Sequence, residues 1–235
     1  MMTIKAFRGL FLTSFLTIMI GIAAFSQDCE AYFPMKEGAY LETRNFDAKD
    51  KLQGISRMTV LQKQTAGPRV SVTVDVRSLD DKEKEVMNTT MEVYCENGVF
   101  YIDMKKFLDQ QTMESFKDME VAMESENMEF PSNLSPGQTL KDARITVSAS
   151  SGGMKLFSMN VWITNRKVEA IEDIATPAGT FSCYKISSDV ETKMMMKISV
   201  KSVEWYARNV GTVRTESYNN KGKLTGYTLL TDYKN

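Results

Sequence analysis

The feature that most constrains the fold of this chain is a two-residue alternation of apolar and polar side chains. In residues 70–76 every second residue is valine, and the residues between them are polar or charged. Residues 145–149 repeat the pattern, and a longer stretch begins at Ile198. A period of two is typical of β-strands with one face buried and the other in water. We therefore predict a mainly β protein built from antiparallel strands.

Turn-forming residues separate these segments, among them Gly67, Gly98 and Gly179. Residues 43–54 also resemble residues 215–226, with a threonine, two lysines, a leucine and a glycine at the same spacing. We interpret both segments as hairpins with a polar, lysine-rich tip, because short turn sequences converge easily. The alternative is a pseudo-symmetric sheet that opens and closes with equivalent hairpins.

Residues 1–26 have the order of a secretory signal peptide. Lys5 and Arg8 form a basic start, an uncharged apolar segment follows, and small residues precede a cleavage point between Ser26 and Gln27. A membrane anchor is the weaker interpretation, because a spanning helix needs about 20 apolar residues and this run is shorter. We predict a periplasmic or secreted protein that is not integral to a membrane after cleavage, with residues 27–235 as one β-rich domain.

The segment from about residue 103 to 125 departs from the alternation. It has no proline or glycine, and its apolar residues follow helical spacing. The pattern predicts an amphipathic helix over residues 103–125, packed by its apolar face on the concave side of a curved sheet. The apolar face comprises Met104, Leu108, Phe116, Met119 and Met123.

The same five side chains are the candidate ligand-binding residues. The chain contains 17 methionines, and the flexible thioether adapts to apolar molecules of varied shape. A groove for a lipid or another apolar small molecule is one interpretation, and plain core packing beneath the helix is another. Capture of Cu(I) by thioether sulfur is a third, which the absence of histidine disfavours.

The absence of histidine also removes many active sites. Ser-His-Asp and Cys-His hydrolases and His-ligated metal sites all need this residue. We interpret the acidic groups near residues 80–85 and 114–129 as solvated surface. A formal net charge of −1 without a basic stripe argues against both nucleic acid and an anionic membrane surface as partners. We predict no enzyme activity, no metal and no cofactor.

Three cysteines follow the predicted cleavage point: Cys29, Cys95 and Cys183. Two of them can form a bridge in an oxidising compartment. Cys95 and Cys183 both lie in strand-like segments, so we predict a Cys95–Cys183 disulfide with Cys29 free. Pairing of Cys29 with either of the other two is the open alternative, since a bridge needs only Cα atoms within about 7 Å.

Four characteristic sequence segments occur along the chain, at residues 29–38, 131–140, 165–186 and 205–214. The most specific are Ala-Gly-Thr-Phe, starting at Ala178, and Trp-Tyr-Ala followed by Val-Gly-Thr-Val, starting at Trp205. Their order and content resemble the TapB-like family of exported proteins of unknown function from Gram-negative bacteria. The resemblance implies an open half-barrel, similar to the LolA-like lipoprotein-carrier architecture, with a helix against its hollow face. It implies no activity and no catalytic residues.

Two classes of function follow from these observations. The first is an exported binding module that holds an apolar small molecule or lipid between the helix and the curved sheet. The second is a structural or protein-interaction domain of the bacterial cell envelope, whose partner is another envelope protein and whose concave face is filled. The state of the space beneath the segment from Met104 to Met123 separates the two.

Overall fold

The computed structural model describes residues 31–107, 116 and 118–235. Within them the chain forms thirteen β-strands and one short 3-10 turn at Met104–Phe107. The strands are β1 Tyr40–Asp47, β2 Leu52–Ala66, β3 Arg69–Leu79, β4 Glu85–Glu96, β5 Val99–Ile102, β6 Glu120–Glu126, β7 Met128–Pro131, β8 Ala143–Ser151, β9 Met154–Thr176, β10 Gly179–Lys193, β11 Lys197–Ala207, β12 Gly211–Tyr218 and β13 Leu224–Lys234.

All thirteen strands belong to one antiparallel sheet whose two edges lie side by side. The order across the sheet is β6-β8-β9-β10-β11-β12-β13-β1-β2-β3-β4-β5-β7. The edge strands β6 and β7 follow each other along the chain with only Asn127 between them. Because one residue spans at most about 3.6 Å, the sheet must curl until its edges meet. The predicted mainly β, curved antiparallel sheet is confirmed, and it is closer to a closed barrel than to a half-barrel.

The predicted alternation determines which side of each strand faces the barrel interior. On β3, Val72 and Val74 are 0% exposed, while Ser71 and Thr73 on the other face stay partly in solvent. Successive side chains of a strand point to opposite faces, so one buried face requires this two-residue period. The concave face of the sheet is therefore the core of the protein.

The barrel has a closed end and an open end. The closed end carries the β4–β5 and β11–β12 turns, and its interior holds the buried rings of Tyr32, Phe100, Phe130, Tyr184 and Tyr206. Ring centroids lie 5.5 Å apart for Tyr32 and Phe130 and 4.9 Å apart for Phe130 and Tyr206. The open end carries the β1–β2, β3–β4, β8–β9, β10–β11 and β12–β13 turns.

The helix predicted over residues 103–125 does not occur in the described part of that segment. Its start is the 3-10 turn, and its C-terminal part is strand β6, so the prediction is wrong there; residues 108–115 and 117 lie outside the described residues. The error has a physical reason. A four-residue spacing such as that of Met119 and Met123 fits both a helix and a strand. Pairing of β6 with β8 supplies the ladder of hydrogen bonds that decides for the strand.

The predicted Cys95–Cys183 disulfide is wrong. Cys183 is a free, buried thiol, whereas Cys95 is disulfide-bonded to a partner outside the described residues. Cys95 on β4 faces the barrel interior together with Val93. Cys183 on β10 shares the convex face with Lys185, and six strands separate β4 from β10 in the sheet. Side chains on opposite faces of distant strands cannot reach disulfide geometry.

The two similar segments form the β1–β2 and β12–β13 hairpins, which are neighbours because β13 pairs with β1. Asp47 Oδ1 accepts hydrogen bonds from the backbone N–H groups two and four residues later, and Asn219 Oδ1 does the same. Asp80 repeats this bonding in the β3–β4 turn. A third copy, outside the two similar segments, favours shared turn chemistry over pseudo-symmetry as the explanation.

Candidate functional site

One wall of the open half of the interior carries small hydroxyl side chains. Ser202 on β11 lies opposite Ser188 on β10 and Ser217 on β12, and directly opposite residues share a face. Further along the sheet, Thr43 on β1 lies opposite Leu230, which is fully buried on the concave side. We name this set the hydroxyl wall: Thr43, Ser56, Ser78, Ser188, Ser202, Thr215, Ser217 and Thr228.

The facing part of the interior is apolar and rich in methionine. Val147 on β8 is fully buried and lies opposite Met123 on β6 and Met159 on β9. On β4, Met91 lies opposite the fully buried Val74. All members of this set are half-buried and pack against the core. We name them the methionine wall: Met58, Met91, Val121, Met123, Phe157, Met159 and Val161.

The structure distributes the predicted ligand-binding residues between core and wall. Met104 is fully buried in the 3-10 turn, where its N–H donates to Asn127 Oδ1 at 3.2 Å. It is therefore a core residue rather than a residue that lines a groove. Met123 belongs to the methionine wall through strand β6. Leu108 lies outside the described residues.

Phe116 and Met119 lie near the open end of the methionine wall. The Phe116 ring is half-buried, with its centroid 4.9 Å from that of Phe157. Met119 is also half-buried, and its N–H donates to the Phe116 carbonyl oxygen at 2.9 Å. The structure thus brings Phe116 and Met123 to the same side of the barrel, with Phe157 at its edge.

Arg166 is a buried cation at the seam where the sheet nearly closes. It is 2% exposed, and its guanidinium stacks on the Phe130 ring at 4.8 Å. Its Nη1 donates to the backbone carbonyl oxygens of Glu129, at 3.1 Å, and Lys141, at 2.7 Å. Nη2 has no hydrogen-bond partner among the described residues. Desolvation by burial lowers the pKa of Arg166, and since a guanidinium stays charged in proteins, the two carbonyl oxygens offset part of the cost of burying that charge.

Arg166, on β9, contacts the edge strand β7, with which β9 has no strand pairing. Glu129 is on the edge strand β7, and Lys141 lies in the segment before β8. The Lys141 ammonium also pairs with the Glu129 carboxylate at 2.8 Å. Leu140 N–H donates to the Arg166 carbonyl oxygen at 2.8 Å, which fixes that segment beside β9. Arg166 therefore closes the gap between the β7 edge and the rest of the barrel.

A short polar ladder on β11 divides the closed end from the open end. The Tyr206 hydroxyl donates to Glu204, and the Ser202 hydroxyl donates to Glu204 Oε1 at 3.1 Å. Burial, reinforced by the Glu204 charge, raises the pKa of Tyr206 well above its ordinary value. Tyr206 therefore stays a neutral donor, and Glu204 places a negative group among the side chains of the hydroxyl wall.

A separate polar cleft of about 360 Å³ lies outside the barrel, beside the junction of β6 and β7. Tyr94 and Tyr101 stack in it with centroids 4.7 Å apart, and the Arg69 guanidinium lies 3.6 Å from the Tyr94 ring. Asn127 Nδ2 donates to the Tyr94 hydroxyl at 3.0 Å. These side chains already bond to one another, so we interpret the cleft as a structural contact that stabilises the junction of β6 and β7.

The described residues offer little reactive chemistry. In this part of the chain, no three His, Cys, Asp or Glu side chains lie close enough together to hold a metal ion. Burial, together with nearby Asp173 and Glu172, raises the pKa of the Cys183 thiol to about 12. A thiol with that pKa remains protonated at neutral pH and is a poor nucleophile. None of the helical structure in the described residues has the length and hydropathy needed to cross a bilayer.

The sequence interpretation missed both Arg166 and the hydroxyl wall. Arg166 lies in the polar stretch from Thr164 to Lys167, so the sequence carried no signal that this arginine is buried. The hydroxyl wall had a weak signal, since serine and threonine also alternate on outward faces. Only the strand register assigns these residues to the interior.

The architecture is a nearly closed antiparallel barrel, and comparison with known proteins gives the family. Residues 36–230 match the DUF3108-like family, so the chain belongs to that family. The match does not confirm the TapB-like name. No curated protein is significantly similar to this chain.

Two solved structures share the fold. One is a candidate exported protein with a YmcC-like fold from Bacteroides fragilis, 26% identical in sequence with a TM-score of 0.72. The other is a candidate lipoprotein from Parabacteroides distasonis, 27% identical with a TM-score of 0.72. Each alignment covers 88% of this chain and 100% of the other. Both descriptions agree with the predicted export, and neither gives an activity.

Proposed function

We propose that this protein is an exported, non-catalytic binding protein that holds one amphipathic molecule in the open half of its barrel. The observation that carries the proposal is a change in burial along the concave face. On β4, Val93 is fully buried, and Met91, two residues closer to the open end on the same face, is only half-buried. A wall of half-exposed apolar side chains inside a barrel is typical of a ligand space.

The two walls indicate what kind of molecule fits. An apolar chain would lie against the methionine wall, because thioethers adapt their shape to a flexible chain. A polar group would face the hydroxyl wall, where serine and threonine both donate and accept hydrogen bonds. Glu204 faces the same space and disfavours an anionic head group. We therefore propose an acyl chain with an uncharged polar head, as in a monoacylglycerol.

Export agrees with the descriptions of the two similar structures, and the carrier role is added by this proposal. A carrier needs no catalytic group, since the molecule is held and released unchanged. A structural or protein-interaction domain of the envelope is the alternative, in which the open half takes up no small molecule. Binding of a defined probe distinguishes the two proposals.

The test is an equilibrium titration with a pyrene-labelled monoacylglycerol. Met91→Glu places a charge on the methionine wall, and because burying an unpaired charge is costly, probe affinity is expected to fall by about tenfold or more. Thr90→Glu is the matched control, because Thr90 is the next residue on β4 and is exposed on the convex face. Its affinity should equal that of the native protein. Absence of probe binding to the native protein, or equal loss in both variants, would favour the structural alternative.

A further inference from the structure

Two hairpins project farther from the open end than the β12–β13 hairpin beside them. In the pairing of β9 with β10, Asn160 lies opposite Lys193, so β9 begins six residues beyond that level, at Met154. In the pairing of β11 with β12, Lys201 lies opposite Tyr218, so the start of β11 extends past the end of β12. The β8–β9 hairpin therefore extends past the end of β10, and the β10–β11 hairpin extends past the end of β12.

The tips of these two hairpins are apolar and exposed. Met195 is 100% exposed and Met196 is 76% exposed. A groove of about 410 Å³ between the hairpins is lined by Leu156, Phe157 and Met194, among others. We name the exposed set the methionine lip: Met154, Leu156, Met194, Met195, Met196 and Ile198. Clustered large apolar side chains in solvent mark an interaction site, and methionine conforms to a fluid apolar surface.

Positive charge surrounds the lip on the same side of the rim. The lysines of the β8–β9, β10–β11 and β12–β13 hairpins are all exposed: Lys155, Lys193, Lys197, Lys221 and Lys223. The acidic side chains beside these hairpins are Glu191, which pairs with Lys197 at 2.6 Å, and the exposed Asp118 and Glu120, where β6 pairs with β8. The five lysines therefore outnumber the three carboxylates next to the lip. The β3–β4 hairpin, further round the rim, is acidic instead, with Asp80, Asp81 and Glu83 in its turn.

We propose that the methionine lip docks the protein on the surface of an anionic phospholipid bilayer. The methionines enter the boundary between head groups and acyl chains, while the lysines remain at head-group level and contact phosphate. Attraction between basic side chains and an anionic leaflet adds to the apolar contribution and weakens with salt. The inference goes beyond the proposed binding function, because docking needs no molecule inside the barrel.

The test measures co-flotation of the purified protein with vesicles of phosphatidylglycerol and phosphatidylcholine. The main variant combines Met194→Ser, Met195→Ser and Met196→Ser, which preserves folding because these side chains are exposed. We expect the vesicle-bound fraction to fall by about tenfold or more, since loss of buried apolar area weakens interfacial binding. Lys193→Ser with Lys197→Ser should reduce binding at low salt and leave it little changed at high salt.

The matched control is Lys82→Ser with Lys84→Ser, which removes two lysines from the acidic β3–β4 hairpin. Its vesicle binding should equal that of the native protein. Because every variant carries the same N-terminus, any difference in vesicle binding between variants comes from the substituted hairpins. Failure of the native protein to float, equal flotation with pure phosphatidylcholine, or full binding by the triple methionine variant would overturn the proposal. Met91→Glu leaves the methionine lip intact, so it should reduce monoacylglycerol binding without reducing vesicle binding. The two proposals can therefore be contradicted separately.

Discussion

The closed and open ends of the barrel solve the same packing problem in different ways. At the closed end, rings such as Phe100 and Phe130 fill the interior and leave almost no exposed surface. At the open end, Met91, Met123 and Met159 line the same concave face and stay half-buried. One continuous sheet therefore carries both a solid core and a row of half-buried methionines. The difference separates residues that hold the fold together from residues that our proposal assigns to binding.

The choice of residue types follows this division. Aromatic rings contribute large buried areas and have few rotamers, so they suit a core with one fixed arrangement. Methionine has three rotatable bonds, so its side chain can adapt to molecules of different shape. The Tyr206 hydroxyl at the closed end donates to Glu204, two residues nearer the open end on β11, so this pair lies where the two regions meet.

The largest effect is expected from Phe130→Ala at the closed end. The ring is fully buried and contacts Tyr32, Phe100 and Tyr206, so its removal leaves a cavity among side chains that cannot collapse. The free energy of unfolding should fall by about 3–5 kcal/mol. Denaturant unfolding followed by circular dichroism measures it. A loss no larger than that of an open-end phenylalanine would remove the distinction between the two ends.

Arg166→Ala should destabilise the protein by about 3 kcal/mol, because it leaves two backbone carbonyl groups at the seam without their donor. Arg77→Ala is the control. Arg77 is exposed on the convex face and pairs with Asp75, an arrangement worth less than about 1 kcal/mol. Urea denaturation of both variants gives the comparison. Equal losses would show that Arg166 does not close the barrel.

Cys183 should make stability fall at high pH. Its pKa is about 12 in the folded protein against an ordinary value of 9.0, so between these values the folded state holds a proton that the unfolded state releases. Stability from this group is complete below pH 9 and is lost as pH rises, by up to about 1.4 kcal/mol per pH unit. Cys183→Ala should remove that slope. Identical pH profiles for the two proteins between pH 9 and 11 would contradict the burial of this thiol.

The smallest effect is expected from Phe116→Ala at the open end. Phe116 is half-buried and contacts Phe157 from one side, so the loss should be about 1 kcal/mol rather than the value of a core ring. The same denaturant experiment used for Phe130→Ala measures it, which makes the two variants a direct pair. A loss of about 3–5 kcal/mol would mean that the open end is packed as solidly as the closed end.

Much of the fold could be predicted from local patterns. The valine alternation of residues 70–76 corresponds to β3, and the polar segments near Asp47 and Asn219 are the turns that the sequence indicated. These predictions succeed because strand period and turn chemistry depend on neighbours in the chain. The helix prediction failed at β6, because apolar residues four apart lie on one face of either a helix or a strand. Pairing with β8, which is distant in sequence, makes this segment a strand.

The candidate site was harder to predict because it depends on register. The hydroxyl wall exists only because Ser188, Ser202 and Ser217 come from three strands aligned in one row. Arg166 bonds to backbone carbonyl groups, which carry no sequence signal. The disulfide prediction failed for the same reason, since sequence does not indicate which strands are neighbours or which face of a strand points inward.

The central claim is that the open half of the interior accepts an acyl chain and the closed half does not. Photo-crosslinking with a monoacylglycerol that carries a diazirine in its acyl chain, followed by peptide mapping, tests it most directly. Crosslinks are expected at the interior residues Met91, Met123 and Met159, and none at Val72 or Phe100, which are fully buried at the closed end. Crosslinks confined to the methionine lip, or spread evenly over both ends, would contradict the claim.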